Sequence, residues 1–155
     1  MNKIRIKFVK SSQVKLVTFS CILISGLLLS ACSSSSLPLD MRNDKTRVLA
    51  GGKLYAKNCA SCHGTQGQGN AQWRVKLASG NFPPPPLNGT GHTWHHTQQW
   101  LVAFVQNGSP LGTMPAWKNK LTSEQIQSIL AWAQAKWPEQ VYKRWIEANT
   151  DPQED

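Results

Sequence analysis

The amino-acid sequence predicts an all-α domain of three to four short helices with long connecting loops, packed around one large apolar group. Three observations predict it. No segment of useful length alternates apolar and polar residues at period two with β-branched side chains, so strands are not expected. Several segments instead repeat apolar residues at helical spacing, separated by glycine- and proline-rich stretches that are not regular helix. Helices this short bury too little surface to hold such loops alone, and a flat apolar cofactor completes the core.

Ahead of the domain, residues 1–31 read as an export signal. Lys3, Arg5, Lys7, Lys10 and Lys15 precede an apolar run from Leu16 to Leu29. That run is shorter than the roughly 20 apolar residues that span a bilayer. It closes with Leu29-Ser30-Ala31-Cys32, which resembles the lipobox of bacterial lipoproteins. The resemblance implies cleavage before Cys32, lipid attachment to that cysteine and a domain tethered to a bacterial membrane on its periplasmic side. Ser33 follows Cys32 with no aspartate there, a pattern that slightly favours the outer membrane.

Removing the signal takes five of the 17 Lys and Arg and none of the 8 acids, which leaves 12 against 8, a formal charge of +4. Basicity therefore lies mostly in the signal, and nucleic acid is not an expected partner. Cys21 leaves with the signal and Cys32 takes lipid, so Cys59 and Cys62 remain, with no further pair for a structural disulfide.

Residues 32–45 are Ser-rich and then polar, which reads as a flexible spacer. The first helix runs from Thr46 to Cys59. Loops follow at residues 64–69 and 81–91, the second holding four consecutive prolines. Thr97 caps a second helix carrying Trp100, Leu101, Phe104 and Val105, and Asn107-Gly108 stops it. Thr122 and Gln125 form a capping-box pattern ahead of the stripe Ile126, Ile129, Leu130, Trp132 and Ala133. Residues 46–138 are thus the domain. Residues 139–155 are a C-terminal extension, a short amphipathic helix through Val141, Tyr142, Trp145 and Ile146 with an acidic tail.

Cys59-Ala60-Ser61-Cys62-His63 is a C-x-x-C-H motif, the spacing that attaches haem covalently. Two thiols three positions apart on a helical turn reach one porphyrin edge, and the next residue aims its imidazole at the iron. A thioredoxin-like dithiol fits poorly without a βαβ pattern, and a zinc site lacks a second cysteine pair.

With Gly51 and Tyr55 ahead of that motif and Gly64 behind it, the chain resembles the class I c-type cytochromes over about residues 46–138. The resemblance implies a cytochrome c-like fold with one covalent haem c, in which Gly51 and Tyr55 cross against Ile129 and Trp132. It likens Pro85-Pro86-Leu87-Asn88-Gly89 to the family segment whose proline carbonyl accepts a hydrogen bond from the proximal imidazole, here His63. Pro85 is the expected residue and Pro86 the fallback.

Met114 is the only methionine inside the expected domain, and Met114-Pro115-Ala116-Trp117 resembles the family's sixth-ligand loop. His63 and Met114 are the expected axial pair. His92, His95 and His96 remain alternatives, as a replacement ligand or as a copper or zinc site. Some bacterial family members carry a similar Gly-His-Thr-Trp-His-His stretch, which favours a structural role at the haem edge.

The function implied is electron transfer rather than catalysis, by a monomer that meets redox partner proteins transiently. Lys53, Lys57, Lys76, Lys118 and Lys120 offer cations to an acidic partner. A haem enzyme or gas sensor requires an open sixth position. A lipid-anchored metal-binding or adhesion module requires that haem be absent.

Overall fold

The computed structural model describes residues 40–150; the expected signal, Cys32 and the acidic end from Asp151 lie outside them. After a 3-10 turn at Met41–Asn43 come α1 (Lys45–Asn58) and the single turn α2 (Ala60–His63). A second 3-10 turn at Thr93–His95 leads to α3 (Gln98–Asn107), α4 (Ser123–Gln134) and α5 (Glu139–Thr150). Among the described residues there is no strand, and no helix is long and apolar enough to cross a membrane.

Local chemistry sets the helix ends. The Asp44 side chain accepts from Arg47 N at 3.0 Å and starts α1. Thr97 accepts from Trp100 N at 3.2 Å ahead of α3, and Gly108 ends that helix at φ 76°. At α4 the capping box is complete: Gln125 N donates to Thr122 Oγ1 at 3.3 Å and Thr122 N donates to Gln125 Oε1 at 2.9 Å. Thr122→Ala removes one bond and loosens the other. It is expected to cost about 1 kcal/mol, measured as a lower denaturant midpoint at unchanged slope.

α1 and α4 cross at very close range. A Cβ on Gly51 would lie 1.8 Å from the Ser128 carbonyl oxygen, so only glycine lets the backbones meet there. Next to it the Tyr55 and Trp132 rings stack at 3.9 Å. Tyr55, Leu101, Val102, Leu121, Ile126, Ile129 and Leu130 close the core around this crossing. Gly51→Ala sets two effects against each other: alanine favours helix by about 1 kcal/mol, whereas overpacking costs about 1–3 kcal/mol. The obstacle is backbone and does not rotate away. A net loss of about 1 kcal/mol or more is expected in chemical denaturation.

Both ends of the domain differ from expectation. The spacer expected over residues 32–45 stops short of residue 45, because Met41 is 2% exposed and Asp44 caps α1. A three-residue turn shows no periodicity, so its burial is invisible in the sequence. The extension that begins at residue 139 is helical as expected, but it is built into the core: Tyr142 and Trp145 pack with Trp137 in a second buried cluster. The ends also grip each other. Arg42 pairs with Glu139 and lies 3.7 Å over the Tyr142 ring, and Tyr142 OH donates to Asp40 at 3.0 Å. Burial and the Asp40 carboxylate hold that phenol well above its ordinary pKa.

Candidate functional site

The helices and loops enclose a cavity of about 970 Å³, near the top of the range of about 300–1,000 Å³ for ligand sites. Cys59, Cys62, His63, Pro85 and Met114 all line it. The structure thus brings together every expected haem residue that falls among those described.

Cys59 sits at the joint between α1 and α2, where its N–H donates to the Tyr55 carbonyl at 2.8 Å and its carbonyl accepts from His63 N at 2.9 Å. That single turn turns both thiols and the imidazole toward one space. Cys59 and Cys62 are not joined in a disulfide. As an unattached thiol Cys59 is pushed up to about 11 by burial, with the neighbouring Cys62 second.

His63 is 9% exposed. Its Nδ1 donates to the Pro85 carbonyl at 3.0 Å, which directs the Nε2 lone pair away from that contact. Burial lowers its pKa and the Pro85 bond partly offsets the shift, so the ring stays neutral and free to bind a metal.

The choice of Pro85 over Pro86 comes from glycine. Gly69 has φ +61°, and a Cβ there would lie 2.4 Å from Pro86 N. Across this contact Gly69 N donates to the His63 carbonyl at 2.8 Å, Asn70 N to Pro84 at 2.9 Å and Leu87 N to Gly67 at 2.7 Å. The clamp puts the Pro85 carbonyl against His63, while the Pro86 carbonyl accepts from the Thr93 hydroxyl at 3.3 Å. Tyr55 OH donates to the Gly64 carbonyl at 2.6 Å and fixes the start of the same loop; burial pushes its pKa up to about 12, so it remains a donor.

Met114 is held by its own loop. Its N–H donates to Ser109 Oγ at 3.0 Å, its carbonyl accepts from Ser109 N at 3.0 Å, and Trp117 N donates to Val105 and Gln106 at the end of α3. Gly108 allows the fold-back, since a Cβ there would lie 2.6 Å from the Met114 carbonyl oxygen.

The three loop histidines separate. His92 and His96 line the cavity, in a series of ring contacts that runs Trp73, His92, His96, Trp100, Phe104. His95 stacks on Trp94 at 3.7 Å and lines a different, smaller pocket. Burial lowers the pKa of His92 and His96, with nearby positive groups adding to it. Among the described residues no group of three or more His, Cys, Asp and Glu side chains is placed to hold a metal ion.

Sequence reasoning missed Trp73, Arg74 and Gln134, which also line the cavity. No periodicity marks the first two. Gln134 is fully buried and bonds Gln98 at 3.0 Å, but Gln134 Oε1 and Gln98 Nε2 have no protein partner. The cavity suits haem on three counts: largely apolar walls, a neutral imidazole and a soft thioether among the lining residues, and a polar pair left to be completed by a polar ligand or water.

Residues 46–132 match the family model described as cytochrome c oxidase, cbb3-type, subunit III. Cytochrome c6 of Leptolyngbya boryana is 38% identical over 52% of this chain and 81% of its own length. This chain belongs to the class I c-type cytochromes. Its cofactor is haem c, attached covalently, and Cys59 and Cys62 fit the attachment motif. Cytochrome c6 of Nostoc sp. is 32% identical over 76% of this cytochrome and 91% of the relative. The cbb3-type cytochrome c oxidase subunit CcoP of Azospirillum sp. is 35% identical over 56% of this cytochrome, which spans only 27% of that longer chain. No solved structure matches the chain significantly.

Proposed function

We propose that this cytochrome is a lipid-anchored electron carrier whose haem is bonded through Cys59 and Cys62 and held axially by His63 and Met114. The observation that carries the reading is that these four side chains line one cavity whose walls are otherwise largely apolar. The haem supplies a one-electron couple when bound. Around it, His63 is kept neutral by burial and oriented by Pro85, and the Met114 thioether is a soft donor that favours the reduced state and raises the potential. With both axial positions taken by the protein, no position is left for a substrate, which supports a carrier rather than an enzyme.

The anchor rests on Cys32 and the residues before it, with residues 33–39 left as spacer; the periplasm is the expected compartment and the outer membrane the favoured one. The names of the relatives, oxidase subunits and small cytochromes, support redox proteins as partners of a monomeric carrier.

A visible spectrum of the purified protein tests the haem reading. Sharp reduced bands, haem staining that survives denaturing electrophoresis and no rapid carbon monoxide binding are expected. A colourless, compact protein would overturn it. For the anchor, Cys32→Ser is expected to move the protein from membranes to the soluble fraction. Because His92 and His96 line the same cavity, an imidazole as sixth ligand is the second reading; the near-infrared sulfur-to-iron band distinguishes the two.

A further inference from the structure

A second pocket lies outside the haem cavity, between the loop that leads into α3 and the later turns of α5. It has a volume of about 290 Å³ and is lined by Trp94, His95, Thr97, Arg144, Ala148 and Asn149. None of these residues lines the haem cavity, and the three on α5 lie beyond residues 46–132, which the family match covers.

Two hydrogen bonds fix its walls to each other. Trp145, 1% exposed, donates its indole N–H to the His96 carbonyl at 2.8 Å, and the Asn149 side-chain carbonyl accepts from Gln98 N at 3.1 Å. These contacts flank Thr97, while His95 stacks on Trp94 at 3.7 Å. The pocket is therefore formed before any ligand arrives, as small-molecule sites usually are.

Every polar side chain on these walls can donate a hydrogen bond. Arg144 carries a guanidinium fork that joins neither of the two ion pairs among the described residues, which use Arg42 and Arg47. The His95 ring adds an N–H. Thr97 Oγ1 accepts from Trp100 N, which leaves its own O–H to give, and the Asn149 amide keeps a second N–H beyond the one that goes to the Trp145 carbonyl. No Asp or Glu lines the pocket: the chain has none from Lys45 to Ser123, and Glu147 on α5 is exposed outside it. Thr97 also caps α3, whose N-terminal end favours an anion.

We propose that this pocket binds a phosphate group, either the free ion or the headgroup phosphate of a lipid. A tetrahedral oxyanion takes several donors at once, and a guanidinium meets two of its oxygens in parallel. The volume lies just under the range of about 300–1,000 Å³ for ligand sites, which suits a group this small. A lipid headgroup is within reach. Tyr142, two residues before Arg144 on α5, donates to Asp40 at 3.0 Å, and the chain from Asp40 back to Cys32 spans at most about 28 Å. The lipid source rests on the anchor reading, whereas phosphate binding as such does not.

The test titrates inorganic phosphate, at constant ionic strength, into the reduced holoprotein carrying Cys32→Ser and follows the Trp94 and His95 ring signals by NMR. A saturable shift of these signals is expected. Affinity should fall about tenfold or more in Arg144→Gln, which loses a charged donor, and by less in His95→Gln. Lys143→Gln removes the same charge from the next residue of α5, outside the pocket, and is expected to bind as the wild type does. The absence of a saturable shift overturns the proposal, as does an equal loss in Lys143→Gln, which means diffuse attraction rather than a site. Phosphatidylglycerol vesicles distinguish the sources. Vesicle binding that Arg144→Gln lowers and Lys143→Gln does not supports the site and assigns the headgroup; phosphate binding without such vesicle binding supports it and assigns the free ion. Failure of the anchor reading is separate: it shows as wild-type Cys32 without lipid in the mass spectrum.

Discussion

Replacing Cys59 and Cys62 together by serine is expected to leave a chain that does not fold cooperatively. The two thiols line a cavity of about 970 Å³ enclosed by Leu87, Leu101, Ile129, Leu130, Trp117 and Trp137 among others. At about 24 cal/mol per Å³ a closed void of that size costs on the order of 20 kcal/mol, against a total stability of about 5–15 kcal/mol. Water reaches the mouth and lowers the cost, yet a quarter of it already equals the low end of that stability. Losing the covalent haem therefore removes more than one ligand: it removes the filling against which α3, α4 and the proline loop pack. Near-ultraviolet circular dichroism and a denaturant titration are the measurements. A native-like spectrum with a sharp transition would refute the expectation.

Met114→Ala is expected to keep the haem and the fold and to change the couple. The thioether is a soft ligand that favours the reduced state, so its loss should lower the midpoint potential by on the order of 0.2 V, within the range of about 0.8 V that axial ligands span. The sulfur-to-iron band should vanish, and the reduced protein should bind carbon monoxide quickly. His92 and His96 line the same cavity, so a six-coordinate spectrum with nitrogen on both sides is the other form the loss can take. An unchanged potential together with an unchanged band means that Met114 is not a ligand. His92→Ala and His96→Ala then become the next variants, with His95 set aside because it lines a different pocket.

Much of the helical framework was legible residue by residue. The stripe Ile126, Ile129, Leu130 and Ala133, the caps at Thr97 and Thr122 and the turn carrying Cys59, Cys62 and His63 all follow from interactions within one or two helical turns. The small residue at Gly51 and the aromatic at Tyr55 meet α4 as the family resemblance implied, with Trp132 stacked on Tyr55. By contrast, the domain's first residues were read as spacer, since Met41 carries no pattern that announces its burial against distant helices.

What the sequence by itself determined is therefore local: helix type and ends, the thiol–thiol–imidazole spacing and the long stretch without acids. The tertiary structure was needed to place Pro85 rather than its fallback Pro86 against His63, to show which two of three histidines face the cavity and to show that Arg42 and Tyr142 tie the two ends together. The physical reason is range. A helix turn closes its hydrogen bonds within four residues, whereas the choice of Pro85 depends on Gly69 letting one loop approach another across sixteen positions of sequence, a contact no short window contains.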